Sequence, residues 1–213
     1  LNIVTRPPPL PLLKRLINVA PDKKTYWQQL SSVYGQLGQY PEALAIMQLA
    51  YGAGLLTSDS DVRRLADLLL FNEIPYRCAQ VLEEGVAKNI LKPDAKLYEK
   101  QANCWIAARE FKKSVEPLSR AAESSGSGDL YVRLGEVQVQ RSDWEGAASA
   151  LGKGLKKGRL KNTSNAQLML GIALYNQKKM TEAEGWFEKA KSSENSRKTA
   201  EAYLQLIQQA QAS

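Results

Sequence analysis

Four groups of residues in this 213-residue chain have the right types for chemistry. Cys78 and Cys104 carry the only thiols, Glu83–Glu84 and Asp59-x-Asp61 pair carboxylates, and Gly126-Ser-Gly128 and Gly152-Lys-Gly154 have the look of phosphate-binding turns. The run from Lys153 to Lys161 holds five cations, Lys153, Lys156, Lys157, Arg159 and Lys161, and no acid. A nucleophilic thiol needs a base to hold it as thiolate, and the chain has no His. The same absence excludes a Ser-His-Asp triad and any His-ligated metal, and two Cys are too few for a thiolate metal site. Consecutive glutamates on a helix diverge. Asp59 and Asp61 stand where acids cap a helix start and complement its dipole. Neither glycine turn follows a strand, so neither is a phosphate loop. We therefore expect no active site and no cofactor or metal.

What remains is charge and shape. The chain has 29 Lys and Arg against 22 Asp and Glu, a net +7, and 18 basic and 17 acidic groups share residues 1–150. Residues 151–213 hold 11 basic and 5 acidic groups, so nearly all the surplus lies in the last third. The Lys153–Lys161 cluster spans a helix end, where the dipole favours cations. It also suits docking to an acidic partner or an anionic lipid. Nucleic acid is not expected, because few aromatics stand nearby to stack bases. No apolar run approaches the roughly 20 residues that cross a bilayer.

The elements that position these residues follow from spacing. A small residue, an apolar residue four later and a small residue three further on recur as Ala43/Met47/Ala50, Cys78/Leu82/Gly85, Ser114/Leu118/Ala121, Ala147/Leu151/Gly154 and Ala183/Phe187/Ala190. Their first members are 35, 36, 33 and 36 residues apart. A second pattern precedes each triplet: Trp27/Leu30/Ser31/Tyr34, Val62/Leu65/Ala66/Leu69, Tyr98/Gln101/Ala102/Trp105, Tyr131/Leu134/Gly135/Gln138 and Gln167/Leu170/Gly171/Leu174. Spacings of three and four put each set on one helical face. The small residue lets the second helix approach, and a larger side chain there would force the pair apart. Turn signals separate the two helices at Gly38–Pro41, Asn72–Pro75, Ala108–Phe111, Ser142–Trp144 and Gln177–Met180.

These residues resemble the tetratricopeptide repeat, a helix–turn–helix unit of about 34 residues. The resemblance implies an all-α fold, a right-handed superhelix of five units over residues 24–57, 59–92, 95–127, 128–161 and 164–197. Gln101, Gln138 and Gln167 depart from it, being polar where larger apolar side chains are usual. Residues 12–23 read as the second helix of a preceding unit, and 198–213 as a capping helix built on Ala200, Tyr203, Leu204, Ile207 and Ala210. Residues 1–11, with four of the nine prolines, read as a linker or remnant, or else as a polyproline II ligand. The chain starts at Leu1 without a visible signal sequence, so a fragment or processed form with further repeats upstream is expected. Cys78 and Cys104 lie at or beside small-residue packing positions. They suit buried apolar packing, and a disulfide stays open.

Such an array presents a concave face lined by first helices. The register puts Arg63, Asp67, Phe71, Lys96, Glu99, Asn103, Ile106, Val132, Glu136, Val139, Leu168, Ile172, Tyr175 and Asn176 on it. From Ile106 onward this face is mostly apolar with one carboxylate, which suits a peptide with apolar anchors. Val132, Val139 and Leu168 equally suit packing between units. Chaperone-binding relatives grip a C-terminal carboxylate with a Lys, Asn and Arg clamp. The corresponding positions here are Gln28, Ser32, Arg64, Lys96 and Lys100, and only Lys96 and Lys100 keep the pattern, so a full clamp is not expected.

A narrower resemblance rests on Val81–Val86, Gly128–Gly135, Ser142–Ala147, Leu168–Asn176 and Ser196–Tyr203. These stretches are similar to tetratricopeptide proteins encoded beside TonB–ExbB–ExbD energy-transduction components of Gram-negative bacteria, over about residues 10–210. The resemblance implies a periplasmic, non-enzymatic scaffold that binds a protein or peptide, TonB-system components among its partners, in support of TonB-dependent uptake. A cytoplasmic adaptor or secretion chaperone, and the recruiting module of a larger enzyme, are the other functions this fold would serve.

Overall fold

The computed structural model describes residues 10–211. Residues 1–9, most of the proline-rich stretch, lie outside the described residues. The chain divides into two compact units, Leu1–Pro93 and Asp94–Ser213. Every regular element among the described residues is a helix.

The first unit holds α1 (Leu10–Val19), α2 (Lys24–Gln36), α3 (Tyr40–Gly52), α4 (Asp59–Phe71) and α5 (Pro75–Ala87). Each helix from α1 to α4 packs on the next. Helix α1 starts at Leu10, earlier than the prolines suggest. Pro11 falls in its first turn, where a missing N–H breaks no helical bond. Leu13 and Ile17 of α1 are buried with Leu30 of α2, while Leu12 and Val19 stay exposed.

The second unit holds α6 (Ala95–Ala107), α7 (Phe111–Ser124), α8 (Asp129–Gln140), α9 (Trp144–Lys157), α10 (Thr163–Asn176), α11 (Met180–Ala190) and α12 (Glu194–Gln211). Successive helices pack in antiparallel hairpins, and α10 touches both α8 and α12, so these three form one layer. Side-chain caps start several helices. Asp94 accepts from the Leu97 N–H at 2.6 Å, Asp143 from the Gly146 N–H at 3.0 Å and Asn162 from the Asn165 N–H at 2.9 Å.

The hairpin turns share one solution. The backbone is left-handed at Gly38, Glu73, Arg109, Ser142 and Lys178, with φ of 72°, 59°, 58°, 56° and 64°. The next residue's N–H returns to the carbonyl five residues back, as in Gln39 to Tyr34 and Lys179 to Leu174 at 2.9 and 3.0 Å. Only the first of these turns uses glycine.

The small residues of the first helices act as the spacing implies. A Cβ at Gly135 would come within 2.5 Å of Leu151, and one at Gly171 within 2.7 Å of the Phe187 ring. Helix α12 begins at Glu194, four residues before the expected cap. It buries Ala200, Leu204 and Ile207. Tyr203 stacks on Phe187 with centroids 4.9 Å apart and meets Tyr175 edge-on at 5.2 Å.

Candidate functional site

The expected groove residues divide by what they already touch. In the first unit Arg63 reaches back along α4 to Asp59, Nε to Oδ1 at 2.7 Å. Asp67 and Phe71 come together in an open depression of about 350 Å3 with Tyr40, Arg64 and Leu68. Phe71 is 62 % exposed and meets Tyr40 edge-on at 4.6 Å. Tyr40 opens α3 and was not anticipated from the first-helix register.

Buried charge in this unit is internally satisfied. Asp61 is 4 % exposed. It accepts from Lys24 Nζ at 2.8 Å and Gln28 Nε2 at 2.6 Å, and exchanges capping-box bonds with Ser58. Burial pushes its carboxyl up, but the bonds from Lys24 and Ser58 outweigh this and hold it below its usual value. Gln28, one of the tested clamp positions, is therefore already bound to the protein's own carboxylate. Glu84 is held likewise by Arg77 and by the Tyr51 hydroxyl, Oη to Oε2 at 2.7 Å. Burial, and then that bond, push Tyr51 up to about 12.

In the second unit α6 and α8 differ from this. Glu136 lies halfway along α8, on the shared wall of two adjoining depressions. The first, of about 310 Å3, is lined by Ile106, Phe111, Arg133, Glu136, Val137 and Gln140. The second, of about 200 Å3, is lined by Asp129, Val132, Arg133, Glu136, Lys161, Asn162 and Asn165. Of its other polar groups, Asp129 accepts from the Lys161 N–H at 3.0 Å and Asn162 caps α10, while the Arg133 and Lys161 side chains bring two cations to the same lining. Glu136 makes no hydrogen bond or ion pair among the described residues. Burial raises its carboxyl above the ordinary value, and the charge of Arg133, one turn away on α8, offsets this only in part. Asn103 lies one turn from Ile106 on α6, and its Oδ1 is buried with no hydrogen-bond partner.

Ile106, Val132 and Glu136 thus come together as the spacing implies. Arg133 and Phe111 complete the site and were missed. Arg133 was legible as the i−3 neighbour of Glu136, whereas Phe111 enters from a second helix. Lys96 and Glu99 lie on α6 outside both depressions. Leu168 is only 9 % exposed and belongs to the core around Phe187, because α12 covers α10. Val132, Val139, Ile172 and Tyr175 pack partly against the same core. Asn176 is exposed and turns back to the Ile172 carbonyl at 2.8 Å.

The basic run is also divided. Lys157 Nζ donates to the Ala122 and Glu123 carbonyls at 2.8 and 3.1 Å, closing the C-terminus of α7. Lys153, Lys156, Arg159 and Lys161 remain exposed. Cys78 and Cys104 are both fully buried and both disulfide-bonded. No group of His, Cys, Asp or Glu among the described residues could hold a metal ion. No described helix is long and apolar enough to cross a membrane.

The tetratricopeptide-repeat family model matches residues 132–198, which run from α8 through α11 into α12. Solved structures extend the likeness over most of the chain. The fold is that of a tetratricopeptide-repeat protein. The crystal structure of MamA superposes with a TM-score of 0.63 at 18 % identity, covering 82 % of this chain and 93 % of that one. YrrB, described as a TPR protein with an unusual peptide-binding site, gives 0.64 at 11 % identity over 90 % of this chain and 97 % of its own. The C-terminal part of a TPR repeat-containing protein from Cytophaga hutchinsonii gives 0.59 at 13 % identity, over 86 % and 72 %. No curated protein sequence matches the chain. At these identities the structural likeness is one of fold. In the tetratricopeptide frame, α6, α8 and α10 are first helices of their hairpins.

Proposed function

We propose that the chain is a non-enzymatic scaffold that binds a protein segment against the α6–α8 face of its second unit. The observation that carries this is the pairing of an apolar wall, Ile106, Phe111 and Val137, with a half-buried Glu136 carboxylate to which no described residue donates. Partial burial without a partner costs such a group free energy, and a ligand that covers it from solvent and supplies one is the natural way to recover that cost. The peptide-binding site named for YrrB is consistent with this use of the fold. The finer reading places the protein in the periplasm as a support for TonB-dependent uptake. Its support is the likeness of Val81–Val86, Gly128–Gly135 and Leu168–Asn176 to the TonB-linked group. The disulfide-bonded state of Cys78 and Cys104 also suits an oxidising compartment.

Capture of purified TonB, ExbB and ExbD by the wild type and by Ile106→Glu tests the scaffold and its partner together. Capture by the wild type alone supports both. Equal capture by the two proteins removes the α6–α8 face from the interaction, and no capture removes the TonB assignment. Thiol titration of protein trapped in intact cells reads the compartment: no reactive thiol supports export, and two free thiols contradict it.

A further inference from the structure

The loops that join successive hairpins of the second unit meet along one edge. The Gly128 N–H donates to the Gly158 carbonyl at 2.8 Å, which joins the α7–α8 loop to the α9–α10 loop. The Ser164 and Ser192 hydroxyls lie 3.1 Å apart and bring the α11–α12 loop alongside. Residues 153–161 and 189–198 thereby share this edge, with nine cations between them and one acid, Glu194. The α7–α8 loop adds Glu123 and Asp129, which leaves the edge strongly positive. The hairpin turns of the same unit, at 109–113, 141–145 and 178–184, hold six basic and five acidic groups. Charges pair there, Lys113 with Glu110 at 3.7 Å and Arg141 with Asp143 at 3.8 Å. On the loop edge Lys191 pairs with Glu188 at 2.6 Å. Lys153, Lys156, Arg159, Lys161 and Lys198 are exposed and form no ion pair among the described residues.

Helix dipoles account for only part of this. They favour Lys156 at the C-terminus of α9. Arg197 and Lys198 stand in the opening turns of α12, and Lys161 just ahead of α10, where the dipole opposes cations. Like charges gathered on both kinds of helix end repel one another and work against the fold. The edge also shows which anion it suits. Lys153 and Lys157 stand 5.9 and 5.4 Å from the Tyr131 centroid, and Lys189 4.0 Å from that of Trp186. These rings hold the protein's own charges rather than standing open to stack bases. Leu206, in the far half of α12, is the one large apolar side chain exposed in the second unit among the described residues. The edge therefore offers no exposed large apolar group to enter a bilayer.

We infer that this loop edge docks an acidic segment of a partner protein, its Asp and Glu side chains lying along Lys153, Lys156, Arg159 and Lys198. It is a second surface, meeting the α6–α8 face at Asp129 and Lys161, and it does not depend on that face binding a ligand.

Two variants of the whole chain with the same net charge test it. Lys153→Glu, Lys156→Glu and Lys198→Glu together reverse the loop edge. Lys112→Glu, Lys178→Glu and Lys179→Glu together reverse the hairpin edge. Circular dichroism and melting confirm that each is folded. The probes are a labelled peptide of alternating Glu and Ser, an oligothymidylate of equal charge, and vesicles of phosphatidylcholine and phosphatidylglycerol, all at physiological salt. The peptide is expected to bind the wild type and to bind the loop-edge variant about tenfold more weakly, the combined scale of three exposed ion pairs. Its affinity for the hairpin-edge variant and for Ile106→Glu is expected to stay within about twofold of the wild type, because screening confines the effect to nearby charges. Equal losses on the two charge-matched variants make net charge the cause and overturn the inference. A comparable loss on Ile106→Glu places the acid in the α6–α8 groove and overturns it too. Absence of peptide binding does the same, and vesicles or oligothymidylate held through the loop edge would then make the partner a membrane or a nucleic acid.

Discussion

Asp61 and Glu136 are carboxylates on the first helices of two different repeat units, and the protein treats them oppositely. Asp61, in the first turn of α4, is almost wholly buried and receives bonds from Lys24, Gln28 and Ser58. Glu136, in the middle of α8, is half-buried and has no such partner among the described residues. Burial raises the pKa of both, but in Asp61 the donors reverse the shift, and in Glu136 Arg133 does not. Asp61 is already spent on the fold, whereas the Glu136 carboxylate is left available on the surface of α8. The contrast shows why charge type and helical register alone do not mark a binding residue. The deciding fact is whether neighbours have already met its hydrogen-bonding needs.

The largest effect that can break this contrast is on stability. Asp61→Ala removes the N3 half of the capping box and leaves Lys24 half-buried without its partner. We expect a loss of about 3 kcal/mol, read by chemical denaturation. Glu136→Gln keeps shape and removes only the unpaired charge, so its effect stays within about 0.5 kcal/mol at neutral pH and is on the stabilising side. A large loss from Glu136→Gln would make it a structural residue and end its candidacy as a ligand group.

The pH dependence of the same two variants gives a smaller effect of opposite sign. Asp61 has its folded pKa depressed, so its contribution is present above the unfolded carboxylate range and is lost as pH falls through the folded value. The wild-type advantage over Asp61→Ala should therefore shrink below about pH 4. Glu136 has its folded pKa raised, so the folded state favours the protonated form. Its relative stabilisation is present below the unfolded pKa and is lost as pH rises through the folded one. Glu136→Gln should thus gain on the wild type as pH rises from the ordinary carboxylate range through the raised folded pKa, and level off above it. Denaturation midpoints from pH 3 to 8 check both signs, and parallel profiles would erase the distinction between the two carboxylates.

The smallest expected effect separates scaffold from site. Lys178 adopts the left-handed turn conformation that glycine adopts at Gly38. Lys178→Gly relieves that strain and should stabilise by about 0.5 kcal/mol, while Gly38→Ala should cost about 1 kcal/mol. Neither should alter ligand affinity, since both lie in hairpin turns. A change in affinity on either would show that the turns and the groove are coupled.

The five hairpins were legible because spacing and small residues state them directly. Gly135 and Gly171 stand where Leu151 and Phe187 leave no room for a Cβ. The ends were less legible. Pro11 reads as a breaker but is tolerated in the first turn of α1, and the start of α12 at Glu194 has no sharp turn signal. In the site, Ile106, Val132 and Glu136 follow from register. Leu168 carries the same register yet is buried, because α12 lies over α10, and register does not report what a later helix covers. Lys157 likewise looks like surface charge until the carbonyls of α7 are seen to take it. The partnerless state of Glu136 is a property of its neighbours and has no sequence signal.

A carbon-detected titration of the Glu136 side-chain carboxyl, in the free chain and with a captured partner segment bound, tests the central claim most directly. The account predicts a midpoint above the ordinary 4.5 in the free chain and a clear displacement of it when the segment covers the α6–α8 face. An ordinary midpoint in the free chain that the bound segment leaves unmoved would contradict it.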